Sequence, residues 1–137
     1  VLHMCIFCKI VNKEIPSHCI YEDDTVMAFL DISQAAKGHT LVIPKAHYDH
    51  FLNCDEALMK HVFEVAQMLG KRLQEALHAD GLNILSNVGT AAGQSVSHFH
   101  VHLIPRYETG ENHVTIAFAD NAHADADIEA TLALLKQ

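Results

Sequence analysis

The sequence predicts an α+β domain: an antiparallel sheet of about five strands with one long helix and a C-terminal helix. Strand-like segments fall into two groups, one before and one after a single long amphipathic stretch. Within each group no helix separates successive strands, as parallel crossovers would require. A chain of 137 residues is the size of one domain, spanning 1–137, that buries roughly two-thirds of its unfolded surface in a single core.

Residues Cys5 to Lys13 have helical composition, and Glu14-Ile15-Pro16 ends that helix because the residue before a proline is driven from the helical region. Asp23-Asp24 marks a turn into a strand over Thr25 to Asp31. Ser33 to Gly38 is a loop, and His39 to Ile43 returns as the second strand of a hairpin, closed by Pro44. From Asp55 to His78 apolar residues recur every three or four positions (Leu58, Val62, Val65, Leu69, Leu73, Leu77). This predicts a helix about 36 Å long, capped by Asp55 or Asn53 and stopped by Asp80-Gly81. Its stripe is core, and His61 and His78 are read as solvent-facing or satisfied. Leu82 to Asn87 is a further strand, Gly89 to Gly93 a flexible loop, and His98 to Ile104 a strand again. Beyond Pro105, Val114 to Ala119 fits a short strand. Asp125 to Lys136 fits a helix built on Ile128, Leu132 and Leu135.

The chemistry concentrates in Gly93 to Arg106. His98, His100 and His102 alternate with Phe99, Val101 and Leu103, so one face of the strand is apolar and the other carries three imidazoles. At about 3.3 Å per residue the outer two start roughly 13 Å apart, too far for one small ion to collect all three. An extended substrate suits such a row better, because imidazole serves as nucleophile, acid or base near neutral pH. The preceding glycine-bearing loop brings amides, Gln94 and Ser95 to an anion. A solvated histidine-rich face is the competing reading.

Nine basic against seventeen acidic residues give a formal charge of −8, which opposes binding to a nucleic-acid polymer but not a mononucleotide in a local pocket. No apolar run approaches the ~20 residues of a membrane span, and the expected compartment is the cytoplasm. Cys19 and Cys54 read as buried small hydrophobes. The Cys5-x-x-Cys8 spacing suits either a metal or a redox pair.

His98-Phe-His-Val-His-Leu-Ile104 matches His-φ-His-φ-His-φ-φ, with φ apolar. With Cys5-Ile-Phe-Cys-Lys-Ile, Glu14-Ile-Pro, Tyr21-Glu-Asp-Asp, Ala28-Phe-Leu-Asp-Ile, Gly38-His-Thr-Leu-Val-Ile-Pro-Lys, Gly81-Leu-Asn and Ala92-Gly-Gln-Ser-Val in order, the chain resembles the histidine triad (HIT) superfamily. Its bacterial histidine-triad nucleotide-binding (Hint-like) branch is the nearer match. The resemblance covers Cys5 to Arg106 and implies a HIT-like fold, leaving 107–137 as a variable tail.

It further implies a purine nucleotide-binding hydrolase that cleaves nucleoside phosphoramidates or adenylylated compounds at the α-phosphate. His100 is then the nucleophile, forming a nucleotidyl-histidine; His102 and Gln94 contact the phosphate, Ser95 assists near the leaving group, and His39 lies close by. Asp31 would accept from ribose hydroxyls, with Asn87 on the same rim. Phe7, Ile10, Ile15, Phe29 and Ile32 would pack around the purine, although composition alone makes them core. Cys5, Cys8, His47 and His98 would hold a structural zinc. Gln34 replaces a proline common among relatives, implying a looser loop. A homodimer through the long helix and a sheet edge is also implied. The alternatives are dinucleoside polyphosphate hydrolysis, a nucleotide-binding interaction module with little turnover, and a zinc-ribbon-like structural protein.

Overall fold

Val26–Leu30 and Thr40–Pro44 are almost wholly apolar, and they form the strands that the structure buries on both faces. This computed structural model describes residues 4–110, 116–118 and 127–136. In chain order the elements are α1 (Ile6–Val11), β1 (His18–Glu22), β2 (Val26–Leu30), β3 (Thr40–Pro44), α2 (Glu56–Leu77), β4 (Gly81–Leu85), β5 (Val101–Arg106) and α3 (Ile128–Leu135). The five strands make one antiparallel sheet in the order β1-β2-β3-β5-β4, so the expected α+β class and strand number hold.

Alternation along β2 sorts the core into two layers. Val26 and Ala28 face α2, with Val42, Val101, Leu103 and Phe99 beside them, and meet Val62, Val65, Leu69 and Leu73. Met27 and Phe29 face the other way, onto Phe7 and Ile10 of α1. Each fully buried side chain of this size contributes about 1.5–3 kcal/mol against leaving it in water. The same parity puts His98, His100 and His102 on the α1 face, because Phe99, Val101 and Leu103 are committed to α2.

Several boundaries differ from expectation for local reasons. The expected strand at His98 begins at Val101 instead, since the β3–β5 register would bring Pro44, which has no N–H, opposite Phe99. Phe99 N donates to Tyr48 O at 2.6 Å there. β5 also continues through Pro105 to Arg106: β3 pairs no further than Leu103, so the proline deprives no β3 carbonyl of a donor. β1 was not anticipated, because a register shift between Cys19 and Tyr21 destroys its alternation. Cys19 is exposed and Cys54 half-buried rather than core; the Cys19 thiol bonds Tyr21 O at 3.3 Å.

Asp55 caps α2 by accepting from Leu58 N at 3.0 Å, while Asn53 serves the turn before it. The helix ends on His78 in the left-handed region, and Gly81 already belongs to β4. His61 is satisfied by Asp23 at 2.7 Å. Burial pulls Asp23 upward, but hydrogen bonds from Tyr21, His61 and two amides outweigh it and hold the carboxyl well below the usual range. The strand expected over Val114 to Ala119 lies mostly outside the described residues, and 116–118 form no strand. α3 is shorter than the expected Asp125 to Lys136, of which 125 and 126 also lie outside the described residues.

Gly38 enters β3 with φ +93°, and a Cβ there would overlap Leu77 Cδ1 and lie 3.2 Å from Pro105 Cγ. Gly38→Ala is therefore expected to cost about 1–3 kcal/mol through backbone strain and crowding, read as a lower urea midpoint at unchanged slope.

Candidate active site

His98, His100 and His102 divide between two neighbouring groups on the α1 face. His98 turns toward the N-terminal segment, whereas His100 and His102 lie 4.9 Å apart, centroid to centroid, at the other end. Phe7 of α1 bridges the groups, with its ring edge-on to His98 at 5.8 Å and His100 at 5.1 Å.

Backbone partners fix which nitrogen of each ring is protonated. His100 Nδ1 is 2.7 Å from the carbonyl of His98, which can only accept, so Nδ1 carries the proton and Nε2 keeps its lone pair. Conversely, the Ala35 amide donates to His39 Nδ1 at 3.2 Å. Neutral His39 then bears its proton on Nε2 and donates it to His102 Nδ1 at 3.0 Å, leaving His102 Nε2–H as a free donor. One ring thus offers a lone pair beside another that offers a proton.

Burial is the leading cause that lowers the pKa values of His39 and His100 below the ordinary 6.5. Burial, followed by repulsion from His100 and His39, pushes His102 to about 4. All three are neutral at pH 7. Asp31 sits 3.7 Å from His39 Nε2 and accepts from the Ser33 amide at 2.8 Å. Its loop is tightened, not loosened, by Gln34, which donates to the carbonyls of Asp31 and His39 and accepts from Gly38 N.

The second group joins Cys5, Cys8, His47 and His98, whose donor atoms lie within 4.8 Å of one another. Their N···S separations are 3.4, 3.4 and 3.6 Å. Tetrahedral zinc with Zn–S about 2.3 Å and Zn–N about 2.0–2.1 Å sets donors roughly 3.5 Å apart, so the set fits. His98 Nε2 donates to Pro44 O at 2.8 Å and His47 Nε2 to Asp49 at 3.2 Å, which leaves each Nδ1 lone pair facing the sulfurs. Burial, then the hydrogen bond and charge of Cys5, raise the Cys8 thiol to about 11, so a cation is needed to draw off its proton. Asp31, His39 and His102 also converge within 4.8 Å. There, however, the proton on His39 Nε2 occupies the position a metal would need.

The other expected site residues scatter more. Phe7, Ile10 and Phe29 are spent on the small core beneath the histidines, and Ile15 flanks it. Ile32 is 88% exposed beside Asp31, on the rim of a cavity of about 420 Å³ shared with His18 and Leu30. Gln94 is held by backbone: its amide donates to Asp49 O and Val96 O, and its oxygen accepts from Gly89 N. Asn87 approaches Gly93, to within 3.5 Å of where a Cβ would stand. Ser95 is exposed and lines a separate cavity of about 400 Å³ with Cys5, His47 and Asp49. Sequence reasoning missed Asp49, whose carboxylate accepts from His47 Nε2, and the bracing role of Gln34, whose side chain bonds backbone groups three to five residues away.

The family model described as "HIT domain" matches residues 12–109, and the chain belongs to the HIT family. It is 49% identical over 107 residues to Protein hit of Bacillus subtilis, covering 78% of this chain and 74% of the relative. It is 42% identical over 102 residues to the adenosine 5'-monophosphoramidase HNT1 of Saccharomyces cerevisiae, covering 74% of this chain and 62% of that one. A zinc-bound histidine triad family protein from Mycobacterium smegmatis superposes with TM-score 0.77 at 36% identity, covering 99% and 98% of the two chains.

His98 and His102 are both held near 4 from an ordinary 6.5. As the pH falls, the unfolded chain takes up protons first, so their stabilising contribution is full above about 6.5 and lost toward 4. The melting temperature of chelator-treated protein should be flat from pH 8 to 6.5 and then fall; a flat curve down to pH 4 contradicts the burial argument.

Proposed function

We propose that the chain is a nucleotide hydrolase that attacks the α-phosphorus of purine nucleoside phosphoramidates or related adenylylated compounds. The observation that carries this is the free Nε2 lone pair of neutral, buried His100 beside the free Nε2–H of His102. His100 Nε2 bonds to phosphorus as the P–N bond breaks, the leaving nitrogen keeps that electron pair and takes a proton from water to depart as an amine, and the positive charge that spreads to Nδ1–H is stabilised by the His98 carbonyl. The Nε2–H of His102 supports negative charge on a phosphate oxygen. Water then cleaves the nucleotidyl-histidine, releasing the nucleoside monophosphate and restoring the ring.

Asp31, as an acceptor-only group, would take the ribose hydroxyls, with Asn87 on the same rim and the base lying toward exposed Ile32. Gln94 holds the glycine loop rather than reaching out, and the amides of Gly89, Ala92, Gly93 and Gln94 are bonded within that loop, so the contact to the anion falls to His102 Nε2–H. Ser95 lines the separate cavity beside Cys5 and His47, and its assistance to the leaving group rests on the family resemblance. The name of the yeast relative, an adenosine monophosphoramidase, agrees with this chemistry.

A dinucleoside polyphosphate is the second reading. None of the residues assigned to the phosphate is Lys or Arg, and the chain carries a charge of −8. A phosphorus centre bearing one negative charge therefore suits the site better than a polyanion. An interaction module without turnover would need no free nucleophile.

The second group is read as a zinc centre held by Cys5, Cys8, His47 and His98. Four protein ligands close the coordination shell, so the metal supplies structure, pinning the start of α1 to the residues preceding β5. The unpaired edge of β4, with Ile84 exposed, and Met68 on α2 support a homodimer through that side.

His100→Ala should lower phosphoramidate turnover at least about 10³-fold while nucleotide binding by calorimetry survives. Its neutral, lowered pKa places the acid limb of kcat/KM below 6.5, with a plateau through pH 8. An acid limb above 6.5, or turnover unaffected by the substitution, contradicts the assignment. Cys8→Ser should abolish one equivalent of bound zinc and lower the melting temperature while leaving folded protein active at low temperature.

A further inference from the structure

α2 lies chiefly over β3 and β5, so the flank of the sheet at β1 and β2 is left open on that face. Five strands span about 24 Å, and one helix covers only about 10 Å of that width. The result is a groove of about 350 Å³ lined by Ile20, Leu30, Leu69, Leu73, Ala76 and Leu77. Lys37 and Arg72 stand on its rim, and neither has a carboxylate partner among the described residues.

α3 is the complementary piece. None of its eight residues is buried, yet Ile128, Leu132 and Leu135 fall on one face at steps of four and three, with exposures of 75, 43 and 79%. A helix this short is marginal in water without an apolar surface to lie against. It is about 12 Å long, as is the stretch from Leu69 to Leu77 along α2. Its N-terminal turn carries Asp127, which caps the helix, and Glu129, which is free to meet a cation.

We propose that α3 docks in the α2/β1–β2 groove of its own chain, with its apolar stripe inward and Glu129 toward Arg72. The choice of its own chain over a second copy follows from where the body ends. The Tyr107 hydroxyl donates to Lys37 O at 2.8 Å, which puts that end at the groove's rim. Sixteen residues, 111–126, then separate body and helix, a tether that reaches up to about 50 Å and keeps α3 at roughly millimolar effective concentration. The groove shares Gln34 with the loop that carries Asp31 and His39, so a docked α3 also steadies the rim of the site.

Hydrogen exchange of the α3 amides, read by mass spectrometry on the full chain, tests this. In the wild type they should exchange about 10- to 100-fold more slowly than an unstructured peptide. Leu132→Asp in α3 and Ala76→Glu in the groove should each remove that protection, leaving β2 and β3 protected as a control for folding. Arg72→Glu should weaken it, and adding Glu129→Lys should restore it. Mixing the Ala76→Glu chain, whose α3 is intact, with the Leu132→Asp chain, whose groove is intact, should leave α3 unprotected. Recovery of protection in the mixture would assign the helix to a second copy and overturn the proposal. So would unprotected α3 in the wild type, or protection that survives Ala76→Glu.

Discussion

The hydrogen bond from His100 Nδ1 to the carbonyl of His98 is the constraint on which the site depends. A carbonyl can only accept, so the bond fixes the tautomer and leaves the lone pair on Nε2. Because the partner is backbone, its position follows from the chain itself. That carbonyl belongs to a residue whose ring is bonded to Pro44 O and faces two cysteine sulfurs, and the next amide is tied to Tyr48 O. Geometry at the candidate metal centre is thus transmitted to His100, the proposed nucleophile, through two residues of main chain.

Burial supplies the second requirement of the proposed chemistry, an imidazole that is uncharged at neutral pH. His39, His100 and His102 lie over a small apolar layer of Phe7, Ile10 and Phe29, and desolvation lowers all three pKa values. Those aromatic and aliphatic residues act on the chemistry from below, by setting the medium around the rings. The cost is acid sensitivity, since buried neutral imidazoles favour unfolding once the pH falls under their ordinary value.

Much of this was legible in the residues. The alternation about His98, His100 and His102 marks one face for chemistry, and the apolar parity of Phe99, Val101 and Leu103 shows which layer the other face joins. The stripe of α2 and its Asp55 cap follow from spacing alone. Other features depend on partners that no local pattern announces. β1 carries a bulge that erases its period, and the start of β5 is set by Pro44 across the sheet. Gln94 is expected on the phosphate and Gln34 to loosen its loop, but the amide of Gln94 serves a carbonyl 45 residues away and that of Gln34 ties its own loop together. Which nitrogen of each histidine is free is decided by carbonyls and amides brought together only by folding.

The most direct measurement of the central claim is rapid acid-free quenching of the protein during turnover of an adenosine phosphoramidate, followed by peptide mapping of the adduct. The account predicts an adenylyl group on Nε2 of His100, in the peptide spanning Gly93 to Arg106. An adduct on another residue, or full-speed turnover in a folded chain lacking that imidazole, would contradict it.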